Sequence, residues 1–377
     1  MPFDFHHKER LAKHISQLAE LRYRPLISLD SFTAYEDDGT VGVRCPAPTA
    51  APFQMQLGDH WKGWDKYLWL CTEFIVPSPG IGKEAVGIFN FGITGGGNNS
   101  HFESLLYVNG EPYQGVDSNH MEVFFPPELT KEPINLQFRL WSGLNGGGPH
   151  TVIEHQLKQA DIVQLDHHTD ELYFMSRSIL ETIDLLDSND PNQSWLFNVL
   201  LHAFRLIDFS YPRSEEFYAS CKEANRYLNR ILQGQNKPDV SVSLIGHTHI
   251  DVAWLWRYRH TREKCARSFS TVNRLMKQYP DYQFLQSQAQ VYDFIRQDYP
   301  EIYAQIKKLV KENRWEPSGS MWVECDCNLS GGESIVRQIL YGKRFFEKEF
   351  GYENDFLWLP DVFGYSWACL LYTSRCV

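Results

Sequence analysis

The sequence predicts an α/β multidomain protein: an amino-terminal helix and a β-sandwich, a helical connector, then the first four strands of a parallel, barrel-like β/α domain that is truncated. Three observations carry this. Residues 31–165 are short aromatic and β-branched runs broken by turn residues, residues 168–235 space their apolar side chains by threes and fours, and from residue 240 apolar strands alternate with amphipathic helices. The expected division is an arm at 1–30, a sandwich at 31–167, a connector at 168–238, the α/β unit at 239–368 and an atypical tail at 369–377.

In the arm, Leu11, Ile15, Leu18 and Leu21 form one stripe of a helix. The sandwich strands are expected at 67–76, 86–93, 102–108, 122–125 and 134–141, separated by Asn109-Gly110 and by glycine clusters at 95–97 and 146–148. The connector carries Leu172, Met175, Ile179, Ile183 and Leu186 on one stripe, with a break at Asp190-Pro191 before its next helix. Beyond it, strands are expected at 240–245, 282–286, 315–323 and 355–359. Helices are expected at 262–278, 291–313 and 333–350, the first burying Ala266, Phe269, Val272 and Leu275 and the last starting with a capping box of Ser330 and Glu333. Strand, helix, strand in repetition means parallel strands joined by right-handed crossovers.

Composition narrows the function classes. A chain of 377 residues that is 43% hydrophobic buries a sizeable core. A formal charge of −11 disfavours a nucleic-acid partner, which needs a basic face to displace counterions, and none is expected. No apolar run approaches the roughly 20 residues that span a bilayer, so no membrane partner is expected. The start lacks the apolar stretch of a secretory signal, so cytoplasmic residence is the expectation. Aromatic residues make up 14% of the chain, which serves either a β-rich core or stacking on sugar faces. The eight cysteines include no Cys-x-x-Cys pair and read as reduced thiols, Cys325 and Cys327 included.

In a parallel α/β unit the active site forms at the carboxyl ends of the strands. His249 and Asp251 are two apart after the first strand, so on an extended strand end they project to one face and suit a metal such as zinc. His247 would be either a third ligand or a residue that orients one, and the second role is favoured. Asp361 follows the apolar segment 356–359 and Pro360. A carboxylate at a strand mouth is costly unless it meets a cation, which makes Asp361 the third candidate ligand.

Four motifs in order then carry a family resemblance: His247-Thr248-His249-Ile250-Asp251-Val252-Ala253-Trp254; Trp322-Val323-Glu324 with Asp326-Cys327-Asn328; Gly332-Glu333-Ser334 with Arg337-Gln338; and Trp358-Leu359-Pro360-Asp361-Val362-Phe363-Gly364-Tyr365-Ser366. Together they resemble glycoside hydrolase family 38, the retaining α-mannosidases. The stretch Gly58-Asp59-His60-Trp61-Lys62-Gly63-Trp64-Asp65 is similar to the cytosolic and vacuolar branch, whose members place a β-sandwich before the catalytic domain.

The resemblance implies that His249, Asp251 and Asp361 bind Zn2+, with Co2+ as a substitute, and that Asp361 is also the nucleophile. Trp254 matches a tryptophan that stacks on mannose, and Asp326 is carried over with it as a substrate contact. Mannose-containing oligosaccharides are the implied partners, and homo-oligomerisation of a full-length protein is left open. After Ala368 the chain departs from the family's Ala-Leu-Pro-Gln pattern, while the family's fourth ligand, a histidine, and its acid/base carboxylate lie further on. These residues alone are therefore expected to be nearly inactive and to bind zinc weakly. Two other readings stay open. One is an amidohydrolase-type barrel using His247 and His249 as its metal pair. The other is a non-catalytic carbohydrate-binding fragment.

Overall fold

The computed structural model describes residues 5–45, 51–78, 84–92, 102–144, 149–234 and 240–361. The tail at 369–377, the glycine clusters at 95–97 and 146–148, and the motif residues after Asp361 lie outside them.

Helix α1 (Phe5–Leu21) precedes the strands β1 (Tyr23–Ser28), β2 (Ser31–Asp37), β3 (Phe53–Gln56), β4 (His60–Gly63), β5 (Tyr67–Phe74), β6 (Ala85–Asn90), β7 (Glu103–Val108), β8 (Glu111–Asp117), β9 (Glu122–Phe125), β10 (Ile134–Trp141), β11 (Ile153–Gln156) and β12 (Gln159–Leu165). They form a four-stranded sheet of order β1-β12-β6-β9, a six-stranded sheet of order β3-β2-β5-β10-β7-β8, and the pair β11-β4. Every pairing among these strands is antiparallel. Phe89 of β6 packs its ring 4.7 Å from that of Phe138 of β10, so the two large sheets share one core. Each ring is fully buried, worth on the order of 2–3 kcal/mol by transfer from water. The first strand begins at Tyr23 and pairs with β12, inside the stretch expected to belong to the arm.

Helices α2 (His167–Leu185), α3 (Pro191–Arg205) and α4 (Glu215–Gln233) follow. Asp166, Asp190 and Ser214 cap them by accepting from backbone N–H groups, and Pro191 sits in the first turn of α3, where a missing N–H costs nothing. Leu11, Ile15, Leu18 and Leu21 of α1 join Leu172, Ile179 and Ile183 of α2 in the same apolar cluster. Arm and connector are thus one helical body.

The remaining elements are β13 (Gly246–His247), α5 (Tyr258–Gln278), β14 (Phe284–Gln286), α6 (Ala289–Asp298), α7 (Pro300–Lys311), β15 (Trp315–Pro317) and α8 (Gly332–Phe350). The strands make a parallel sheet of order β13-β14-β15. Four expectations are corrected here. The strand at 240–245 is absent: only Gly246 and His247 pair, and Val240, Val242 and Leu244 are exposed, since among the described residues nothing pairs with the other edge of β13. The helix at 291–313 is two helices, broken where Pro300 removes a backbone donor. The strand at 315–323 stops at Pro317, where Gly319 and Ser320 turn the chain at φ 94° and 58°. The fourth strand, 355–359, is not a strand; Ser320 Oγ donates to the Phe356 carbonyl at 2.8 Å in place of a ladder.

Helix α8 also starts without the expected box. Its N-cap is Gly331, and Glu333 pairs with Arg337 one turn on, at 2.9 Å, instead of reaching back to Ser330.

Candidate metal centre

The site forms where the three parallel strands end. β13 delivers His247, whose Nδ1 lies 3.0 Å from the Leu285 carbonyl of β14, so Nδ1 carries the proton. Its Nε2 then accepts from the Trp358 indole at 3.2 Å. Both ring nitrogens of His247 are engaged, which makes it a neutral strut between β14 and the 355–361 segment.

Two residues on, His249 stands among carboxylates. Its Nε2 lies 3.1 Å from Asp251 Oδ1 and 3.6 Å from Asp361 Oδ2, and its Nδ1 lies 3.1 Å from Glu324 Oε2. Glu324 beside Nδ1, working against burial and helped by Asp251, raises the imidazole to about 9. This is a pocket built for positive charge. The donor atoms of His249, Asp251 and Asp361 lie within 4.8 Å of one another. Atoms on a tetrahedral ion with bonds of about 2 Å are about 3.3 Å apart, a spacing that the 3.1 and 3.6 Å separations bracket. One nitrogen and two carboxylates fit a divalent cation of borderline softness.

The strand ends are held by unusual backbone. Ala253 has φ 73° and Gln288 has φ 68°, conformations that cost of order 1–3 kcal/mol and gather at functional sites. Gln288 bridges two site loops, donating to the Ile250 carbonyl at 2.8 Å and accepting from the Glu324 N–H at 3.3 Å. Ser287 Oγ donates to Glu324 Oε1 at 2.5 Å. The loop that carries Glu324 rests on α8: Trp322 N–H donates to the Gln338 carbonyl and Val323 N–H to the Gln338 side chain. Gly342 makes this approach feasible, because a Cβ there would stand 2.2 Å from the Ser320 carbonyl oxygen.

Of the residues singled out from sequence, the structure brings His249, Asp251 and Asp361 together and sets His247 behind them. Trp254 is 58% exposed and meets Trp256 edge to face at 5.3 Å, presenting an open indole. Asp326 joins neither candidate metal cluster; its Oδ1 accepts from the backbone N–H groups of Asn328 and Leu329. Glu324, only 5% exposed, joins the site although sequence reasoning passes over it in favour of Asp326 in the same polar motif. His247, His249 and Glu324 form a second cluster of ligand atoms sharing His249, but Trp358 already occupies the free lone pair of His247.

Comparison with known proteins identifies the family of this region. Residues 239–373 match the family described as "Glycosyl hydrolases family 38 N-terminal domain". The chain is 34% identical to "Alpha-mannosidase G" of Dictyostelium discoideum over 95% of its own length and 34% of that protein. It is 30% identical to "Alpha-mannosidase 2C1" of Mus musculus, over 82% of the chain and 30% of the relative. Against "Alpha-mannosidase" of Saccharomyces cerevisiae it is 34% identical, over 56% of the chain and 20% of the relative. It spans about a third or less of these relatives. With the His249–Asp251–Asp361 cluster in place and these matches along its length, the chain belongs to glycosyl hydrolases family 38, as an N-terminal portion.

Proposed function

We propose that this protein is a zinc-dependent retaining α-mannosidase that hydrolyses terminal α-mannosides of mannose-containing oligosaccharides. The convergence of His249 and Asp251, just after β13, with Asp361 of the 355–361 segment carries the reading, supported by the similarity to proteins named α-mannosidases. These three residues would hold the zinc, with Co2+ as a substitute. Bound there, the metal would supply Lewis acidity and a template for the vicinal hydroxyls of mannose.

Asp361 is 51% exposed, against 36% for Asp251 and 5% for Glu324, so it is the carboxylate that a sugar can reach. Its oxygen attacks C1, the glycosidic C1–O bond breaks, and the resulting mannosyl ester on Asp361 is later opened by water. Trp254 offers an aromatic face to the apolar side of the ring. Asp326 keeps Oδ2 for a sugar hydroxyl while its Oδ1 holds the turn. A barrel-like continuation of the three-stranded parallel sheet belongs to the same proposal.

An aryl α-mannoside with a good leaving group isolates the first step, because little protonation of the departing oxygen is needed. The protein is expected to release the phenol in a burst of up to one equivalent, and Asp361→Asn to reduce this rate more than about a thousandfold. A burst that survives in Asp361→Asn would remove Asp361 as nucleophile. The amidohydrolase-type alternative needs a free His247 and finds less support, since both its nitrogens are engaged.

A further inference from the structure

We propose that Cys45 and Cys71 are a redox-active pair that closes to a disulfide by exchange with a low-molecular-weight disulfide such as oxidised glutathione. Their Sγ atoms lie 3.3 Å apart. A disulfide needs about 2.05 Å, so the sulfurs must approach by only about 1.3 Å, within reach of small side-chain rotations. Both cysteines are half-buried and reachable by a small molecule, whereas Cys221 and Cys265 are fully buried.

The two thiols belong to different parts of the fold. Cys71 is fixed in the middle of β5, opposite Thr33 of β2 and Gln137 of β10. Cys45 lies in the segment after β2, which reaches across to the site-bearing unit. There Gly42 N–H donates to Glu263 of α5 at 3.0 Å, and Arg44 pairs with Glu301 of α7 and lies over the rings of Tyr107 and Tyr299 at 5.3 and 5.2 Å. A bond from Cys45 to Cys71 would fasten that bridging segment to the sheet. This departs from the expectation that the cysteines all stay reduced thiols.

The roles are unequal. The two thiols share one S–H···S contact; with Cys45 as its donor, the Cys71 thiol is held below its ordinary range and Cys45 is pushed above it. Cys71 as thiolate attacks one sulfur of oxidised glutathione and releases one glutathione thiolate. Cys45 gives up its proton to that thiolate and attacks the Cys71 sulfur of the mixed disulfide, releasing the second glutathione. Two protein thiols are oxidised and one glutathione disulfide is reduced to two thiols.

The test is native incubation with millimolar oxidised glutathione, alkylation of remaining thiols, digestion without reduction and mass spectrometry. The expected product is a Cys45–Cys71 linked peptide as the main cross-link, reversed by dithiothreitol, with a thermal midpoint several degrees above that of the reduced protein. Cys45→Ser should instead retain a glutathione adduct on Cys71 and gain no thermal shift. The proposal is overturned if Cys45 and Cys71 both stay fully alkylatable in the native protein, if an adduct on Cys71 persists in the unsubstituted chain, or if other cysteine pairs cross-link as readily.

Discussion

Glu324 acts through His249: its Oε2 faces Nδ1 at 3.1 Å while Ser287 and Gln288 fix its carboxylate and backbone. A carboxylate behind a metal-binding imidazole sets its tautomer and raises its basicity. Glu324→Ala is therefore expected to weaken zinc binding by about 10–100-fold, measured by competition with a chelator of known affinity. An unchanged affinity would show that Glu324 is only packed beside the ring. The choice between Glu324 and Asp326 was not legible in the sequence. Two carboxylates two residues apart share a face only on a regular strand, and here Gly319 and Ser320, both at positive φ, precede an irregular loop. His249 and Asp251 follow β13 by only a few residues, and for them the same rule placed both side chains at one site.

Helix α5 departs from its sequence reading at the scale of a whole element. Of the expected stripe, Ala266, Phe269 and Val272 are buried and Leu275 only partly so, but the opposite face is buried too. His260 meets Asp65 at 2.7 Å, Glu263 meets Arg139 at 2.9 Å, Lys264 and Arg267 meet Glu103, and Thr271 accepts from Gly115 N–H at 3.1 Å. Charges at spacings of three and four read as a solvated face, and only the tertiary partners on the six-stranded sheet and in the β4–β5 turn reveal the pairing. Burial opposes ionisation of Glu103, but Arg267 and Lys264 overcome it and hold the carboxyl down at about 2, against an ordinary 4.5. Asp65, likewise desolvated, is held at about 2 by His260, Trp141 and Arg259. Both folded-state values are depressed, so the stabilisation is complete above the ordinary carboxylate range and is lost as pH falls through about 2. Glu103→Gln should cost about 3 kcal/mol at pH 7 by leaving Arg267 without its partner, and far less near pH 2. Urea midpoints at the two pH values measure this, and an equal penalty at both would contradict the pairing.

Across the whole molecule, the six-stranded sheet is a middle layer, and this explains why its strands lack clean alternation. In β5, Leu68 and Leu70 face the sandwich core while Trp69 faces the α5 side; in β7, Leu106 and Val108 face one way and Leu105 and Tyr107 the other. A sheet covered on both faces reads as a continuous apolar run. The sequence therefore showed the strands and the sandwich but not the third layer, nor that α1 packs with the connector helices, because both depend on contacts between segments far apart in the chain. The same holds at the site: Asp361 was chosen for the cost of a carboxylate at a strand mouth, yet the expected strand before it is absent, and side-chain hydrogen bonds from Ser320 and Trp358 hold that segment in place. The central claim is that one metal ion unites these distant pieces through His249, Asp251 and Asp361. Zinc retained per chain after dialysis, measured by elemental mass spectrometry on the protein and on His249→Ala, Asp251→Asn, Asp361→Asn and His247→Ala, tests it most directly. The account predicts weakly held zinc at partial occupancy in the unsubstituted chain, a marked loss from that level in the first three variants and substantial retention of it in His247→Ala. Full retention in Asp251→Asn and Asp361→Asn, with loss in His247→Ala, would contradict it.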